Sequence, residues 1–239
     1  MIKINSFLLD SSADKYDNSL AKDIIRNELL LPEILTMLNK VEDLNILEAG
    51  CGTGYILKHL IKLNPKRLVA FDNLEQMVTK AKSIYQAENI QIQILDLEDY
   101  LPWRNEFDVV LGIMLLHLCK NIEKALDNIN KVLKPHGRLI IVIPHPCYHF
   151  DTSFLDQIKN SGLNKLPNDR YANENIVHNQ IGNPPINIKM YHRPTEFYIN
   201  MLIKCGFKIK GIKEPVFNKS SSIWYFIPPF LFIDAEKGD

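Results

Sequence analysis

The chain has 239 residues, 46% of them hydrophobic, with 28 basic and 28 acidic side chains and a formal net charge of zero. That is enough apolar sequence for one large α/β domain or two small ones, and the even charge argues against a nucleic-acid partner, which needs a basic stripe for its phosphate contacts. No apolar run approaches the ~20 residues that span a bilayer, the N-terminus lacks signal-peptide segments, and Cys51, Cys119, Cys147 and Cys205 show no paired spacing, so the expectation is a soluble cytoplasmic protein with reduced thiols and no membrane partner.

Residues 1–16 carry no regular pattern. From Asp17 to Leu38, Leu20, Ile24, Ile25, Leu29, Leu30, Ile34 and Leu38 recur at helical spacing. Pro32 should break this stretch in two, and residues 1–40 read as an N-terminal helical cover. Short apolar runs then predict strands over 45–47, 67–71, 90–95, 107–112 and 138–143. Amphipathic segments predict helices over 54–63, 74–86 and 121–133, the last closed by a turn at Pro135-His136-Gly137. This alternation implies right-handed crossovers and a parallel sheet covered on both faces. Ligands of such sheets sit beyond the carboxyl ends of the strands.

Residues 145–193 have few periodic signals and many Asn, Pro and His. A connection this long is usually functional or mobile, and it is expected to form a substrate lid or cap. A helix over 195–205 leads to strands over 206–216 and 225–235, joined by Asn218-Lys219-Ser220-Ser221-Ser222. So short a link suggests an antiparallel hairpin at the end of the sheet. Pro228-Pro229 should mark the start or a bulge of the final strand, which is rich in Phe and Ile and is expected at an edge. No boundary divides residues 1–239, which read as one domain.

The chain has only 10 glycines, and three stand at alternate positions in Glu48-Ala49-Gly50-Cys51-Gly52-Thr53-Gly54. The dinucleotide fingerprint G-x-G-x-x-G requires its third glycine at residue 55, which is Tyr55. The observed pattern is an acid followed by G-x-G-x-G. An acid beside the loop suits a cationic ammonium better than a pyrophosphate, so the loop reads as a site for a nucleoside carrying an amino acid.

This stretch resembles the first motif of the class I S-adenosylmethionine-dependent methyltransferases. Ala70-Phe71-Asp72-Asn73-Leu74-Glu75-Gln76-Met77 is similar to the second motif and Leu95-Asp96-Leu97 to the third. Phe107-Asp108-Val109-Val110, Leu116-His117, and the run from Lys131 through Pro135-His136-Gly137 to Leu139 resemble the fourth and fifth. His136 stands where a glycine is usual. Tyr191-His192-Arg193-Pro194, Cys205-Gly206-Phe207 and Glu214-Pro215 resemble the small-molecule branch. Each motif is weak alone; their order and spacing are specific.

The resemblance implies S-adenosyl-L-methionine as cofactor and S-adenosyl-L-homocysteine as product. It implies that Glu48 reaches the methionine ammonium and that Gly50, Cys51, Gly52 and Gly54 form the close-approach loop. Asp72, with Asn73 beside it, would accept from the ribose hydroxyls. Asp96 would accept from the adenine amino group, Leu97 would offer its N–H, and Met77 and Ile113 would sandwich the ring. Tyr16 resembles part of an element covering the donor. Standing alone, Asp72 and Asp96 also read as helix N-cap or turn acids, and Met77 and Ile113 as core.

Methyl transfer needs a nucleophile held at near-attack distance and, for some acceptors, a base. His117 and His145, beyond the fourth and fifth strands, are the candidate bases. Each also reads as a histidine bonded to backbone or a helix end. His149, His178, Tyr191 and His192 are further candidates. His145, Cys147 and His149 have metal-ligand chemistry but no fourth ligand at suitable spacing, so no metal is expected. Asn183-Pro184-Pro185-Ile186 lacks the aromatic residue that would stack on a flipped base and reads as a turn. Cys51 reads as a packed small residue rather than a nucleophile.

The expectation is therefore an α/β, Rossmann-like, doubly wound seven-stranded sheet, mostly parallel with an antiparallel last strand. The expected activity is methylation of a small-molecule acceptor. The rivals are an NAD-dependent oxidoreductase, a non-catalytic S-adenosylmethionine-binding partner or sensor, and an RNA methyltransferase.

Overall fold

The structure, a computed structural model, describes residues 12–87, 89–148, 171–181, 186–217 and 228–238. Five parallel strands come first: β1 (Asn45–Ala49), β2 (Arg67–Asp72), β3 (Ile90–Ile94), β4 (Phe107–Ile113) and β5 (Leu133–Pro144). A separate antiparallel hairpin follows, β6 (Asn175–Ile181) and β7 (Ile186–His192). The last two strands are β8 (Phe207–Lys213) and β9 (Phe230–Lys237). The seven-stranded sheet has the order β3-β2-β1-β4-β5-β9-β8, with β9 antiparallel to both neighbours. The order reverses between β1 and β4, and the crevice at such a reversal is where open α/β sheets bind ligands.

The inner strands β1, β2, β4, β5 and β9 are largely apolar because both faces are covered. On one face lie α1 (Ser12–Ala21), α2 (Leu31–Leu38), α3 (Leu57–Lys62) and α4 (Glu75–Ile84); on the other lie α5 (Ile122–Val132) and α6 (Thr195–Lys204). Alternate strand residues feed the two cores: Ile46 and Leu68 pack on the α2–α4 side, Leu47 and Val69 on the α5–α6 side. Helix α5 follows from sequence. Asn121 caps it by accepting the Lys124 amide at 3.0 Å, and Ile122, Ala125, Leu126, Ile129 and Val132 form its buried stripe. Truncating one of these buried leucines or isoleucines to Ala costs about 2–5 kcal/mol.

Four expectations change. Helix α3 starts at Leu57 rather than 54, because Gly50, Gly52 and Gly54 all hold positive φ and keep the chain out of a helix until the loop is finished. Pro32 does not separate two helices but sits in the first turn of α2, where its missing N–H costs nothing. It follows a π-helical turn at Arg26–Leu30 in which the Leu31 amide donates to the Arg26 carbonyl. Pro135-His136-Gly137 is not a separate turn but a bulge inside β5, between the pairs Phe107–Leu133 and Val109–Arg138. Finally, β9 is not an edge strand. It lies between β5 and β8, pinned by the Arg138 guanidinium, which donates to both Asp234 oxygens at 2.7 Å. Pro228-Pro229 precedes its first residue, as expected.

Residues 149–170 and 182–185 of the expected lid, with His149 and most of Asn183-Pro184-Pro185-Ile186, lie outside the described residues. The described part of that segment is not irregular: it contains β6 and β7. Arg193 ties it down. Buried at 3% exposure, its Nη2 donates to the Cys119 and Lys120 carbonyls at 2.9 and 3.0 Å, and its Nε donates to Glu174 at 3.3 Å. The guanidinium lies over the rings of Tyr191 and Phe197.

Candidate active site

A cavity of about 770 Å³ opens at the carboxyl ends of β1 to β4. Its first wall is the loop after β1. The amides of Gly50 and Cys51 both donate to the Phe71 carbonyl, at 2.8 and 2.9 Å, folding the loop across the end of β2. Asp72 closes the arrangement. Its Oδ2 accepts the Gly52 amide at 2.9 Å and its Oδ1 accepts the Leu74 amide at 3.0 Å. Burial raises the Asp72 pKa, while the bonds from Leu74 and Gly52 oppose that rise. Asp96 is anchored by the Glu98 amide at 2.9 Å and the Asn73 side-chain amide at 3.4 Å. The Asn128 side chain donates to the carbonyls of Leu97 and Asp99 and fixes that loop from behind.

The glycines have different jobs. Gly50 and Gly52 line the cavity. Gly54 does not; a Cβ there would lie 2.4 Å from the Tyr85 ring, so this glycine serves the packing of the loop on α4. That corrects its expected place at the ligand. Cys51 lines the cavity but is buried, and burial beside Glu48 and Asp72 pushes its thiol pKa up, which makes it inert.

Glu48 has the most demanding position. It is 2% exposed and its Oε2 has no hydrogen-bond partner among the described residues. Burial, and then the nearby Asp72 carboxylate, raise its pKa to about 8. A buried carboxylate facing a cavity with an unused oxygen is a receptor for a cation. The site thus has a cation acceptor, a glycine loop allowing close approach, and Asp72 and Asp96 as acceptors for hydroxyl and amino groups. These residues fit S-adenosylmethionine, whose ammonium, ribose and adenine present those donors.

Tyr16, Glu48, Gly50, Cys51, Gly52, Asp72, Asn73, Met77, Asp96, Leu97 and Ile113 all line this one cavity. The N-terminal helices dock over it: Lys80 pairs with Asp14 at 2.6 Å and Asp17 at 3.1 Å, and Thr53 donates to Asp17. The structure adds Arg26 and Leu30, which the π-helical turn directs to the cavity, and Leu115, Leu118, Lys120, Ile188 and Lys189. His178 and Tyr191 line it as well.

The two histidines chosen as bases lie elsewhere. His117 is buried in a 3-10 turn (Leu116–Leu118). Leu115 and Leu118, three residues apart and eclipsed in such a turn, face the cavity; His117 does not. His145 is buried outside the cavity wall. Its Nδ1 accepts the Cys147 amide at 3.2 Å, which leaves the proton on Nε2, 2.7 Å from Glu214. Both nitrogens are occupied in holding the chain after β5. His192 is likewise bonded to the Tyr171 carbonyl. Among the described residues no three His, Cys, Asp or Glu side chains group to hold a metal.

Sheet order and site geometry define a class: an α/β protein that binds an adenosyl amino acid at the carboxyl ends of its parallel strands. Residues 47–141 match the methyltransferase domain family. A Haemophilus influenzae protein of uncharacterised function is 26% identical over 98% of both chains. The ubiquinone biosynthesis O-methyltransferase of Rickettsia bellii is 25% identical over 84% of this chain and 76% of its own. The crystal structure of a candidate S-adenosylmethionine-dependent methyltransferase from Listeria monocytogenes is 26% identical, covers 87% of this chain and 97% of that one, and superposes with a TM-score of 0.72. Residues 47–141 thus carry a methyltransferase domain, and the chain resembles S-adenosylmethionine-dependent methyltransferases over most of its length; these matches imply S-adenosylmethionine as cofactor and S-adenosylhomocysteine as product.

Proposed function

We propose that this enzyme methylates a small molecule enclosed between the donor site and the β6–β7 hairpin, in the cytoplasm. One observation carries the reading: the cavity does not end at the donor residues but continues to Leu118, Ile188 and Tyr191 beneath the hairpin. Its volume of about 770 Å³ lies within the ~300–1,000 Å³ typical of enclosed small-ligand sites. A wall of hairpin and loop favours an acceptor that enters whole over an RNA strand laid on a basic surface. Free thiols at all four cysteines suit a reducing compartment.

The donor supplies an electrophilic methyl group on a cationic sulfur, and transfer to the acceptor leaves a neutral thioether. The chain's own work is to bind, orient and exclude water. Glu48 holds the ammonium, Asp72 and Asp96 fix the nucleoside, and Tyr16 with the N-terminal helices covers it. His178 is the histidine among the cavity-lining residues. An imidazole is suited to accepting a proton near neutral pH, so it takes the base role first assigned to His117 and His145.

Calorimetric titration with S-adenosylmethionine and S-adenosylhomocysteine, with NAD in parallel and Asp72→Ala as control, tests the donor site. Micromolar binding of both adenosyl ligands, lost in the variant, is expected. Methyl-labelled donor is then offered to small phenols, acids and amines, and to bulk RNA. Label on RNA alone would replace the small-molecule reading.

A further inference from the structure

Two lysines at the acceptor end of the cavity carry charge that no side chain answers among the described residues. Lys120 lies two residues beyond the 3-10 turn of Leu116–Leu118, and Lys189 is on β7, which packs against that turn. Both line the cavity and both are exposed to it. Neither makes an ion pair among the described residues; the Lys189 ammonium lies only over the Tyr191 ring, 5.4 Å from its centre. Neither strand of the hairpin contains an acidic residue. His178 stands opposite Lys189 in the register, and the Arg193 guanidinium backs the Tyr191 ring. Among the described residues the acid lining this end is Glu98, and its two oxygens accept the backbone amides of Lys120 and Asn121 at 2.8 and 3.0 Å, while Glu174 is engaged by Arg193.

Apart from Arg26, which pairs with Asp23, and Glu98, the acids and bases lining the cavity fall at different ends. Glu48, Asp72 and Asp96 serve the donor end, where a cationic ligand belongs. The far end is apolar with a cationic border. An unanswered pair of ammonium groups beside an apolar surface selects a ligand with an anionic head and an apolar body. Arg193 holds the arrangement in place, because it bonds the Lys120 carbonyl and lies against Tyr191 on the same strand as Lys189.

We propose that the methyl acceptor is an amphiphilic acid, its carboxylate or phosphate held between Lys120 and Lys189 and its apolar part against Leu118, Ile188 and Tyr191. This rests on the small-molecule reading above and names its substrate class. The charged head need not be the methylated atom; it sets which end enters first.

The test uses four probes with one apolar body and different heads: benzoate, phenylphosphonate, benzamide and benzylamine. Each is titrated by ligand-observed NMR into the wild-type enzyme saturated with S-adenosylhomocysteine and into K120Q/K189Q. Saturable binding of benzoate or phenylphosphonate is expected, about tenfold tighter than benzamide and benzylamine, with the preference lost in the variant. Preference between the two anions separates carboxylate from phosphate acceptors. The homocysteine ligand itself should bind variant and wild type within about twofold, since the donor residues are untouched. Equal affinity for all four heads, no saturable binding of either anion, or a preference that survives K120Q/K189Q would overturn the proposal. Failure of wild type to bind S-adenosylhomocysteine would instead strike the donor assignment, and the probes are then read on the free enzyme by the same criteria.

Discussion

The Asp72 carboxylate accepts the Gly52 amide at 2.9 Å, so the acid at the end of β2 and the glycine loop after β1 form one unit. The same carboxylate accepts the Leu74 amide. Replacing Asp72 with Ala removes a ligand acceptor and strands two backbone donors together. A loss of about 1–3 kcal/mol in stability is expected, with S-adenosylhomocysteine affinity falling at least tenfold. Asp72→Asn retains one acceptor oxygen and should recover part of the stability but little of the affinity. Denaturant melts and calorimetry on the two variants separate the effects.

Glu48 sets a pH dependence whose sign is fixed. Its pKa is about 8 in the folded chain and 4.5 when solvated. Between those values the folded state holds a proton that the unfolded chain has lost, so this group's contribution is complete below 4.5 and is lost as pH rises through about 8. Glu48→Gln has no such proton. The melting temperature of the unliganded wild type, relative to Glu48→Gln, should therefore fall from about pH 5 to about pH 9. A difference that rises with pH would contradict the burial of Glu48.

The same carboxylate couples proton and ligand. An ammonium beside it favours the ionised form, so donor binding at neutral pH should release a proton. Calorimetry of S-adenosylhomocysteine in two buffers of unlike ionisation enthalpy checks this. Apparent enthalpies that differ in wild type and agree in Glu48→Gln are expected.

Two of the loop glycines should separate by readout. A Cβ at Gly54, φ +94°, would lie 2.4 Å from Tyr85, whereas one at Gly52, φ +55°, would meet only Tyr16 at 3.8 Å. Gly54→Ala should cost about 2–3 kcal/mol, from a left-handed backbone plus a clash. Gly52→Ala should cost about 1 kcal/mol and show its main effect in donor affinity. Thermal melts with and without S-adenosylhomocysteine distinguish the two.

Much of this site was legible in sequence because it depends on strand ends. Alternating apolar runs located β1 to β5, and the residue after each run, Glu48, Asp72 or Asp96, fell at the carboxyl edge by topology alone. The acceptor end was not legible. β6 exposes Asn175, Ile176 and His178 alike, with Ile176 55% exposed, so no period of two is enforced there, and on β7 only Met190 and His192 are buried among the described side chains. Arg26 depends on a π-helical turn, which has no distinctive residue pattern. His117 and His145 were chosen by residue type and strand position. Direction decided otherwise: the eclipsed geometry of a 3-10 turn aims Leu115 and Leu118 at the cavity, and Cys147 and Glu214 occupy the His145 ring.

The position of β9 governs the order in which the chain can assemble. β8 is made before β9, yet it reaches the sheet only through β9. During synthesis β8 and α6 must wait, while β1 to β5 and the donor loop already have their partners. The far edge of β5 meanwhile offers a long apolar strand, Leu139–Ile143 buried at 1% or less in the finished fold, to any strand nearby. Strand β9, made after every other strand of the sheet, therefore seals the surface most prone to aggregation. A nascent chain stalled before Phe230 should hold a nearly complete donor site and an open, adhesive flank.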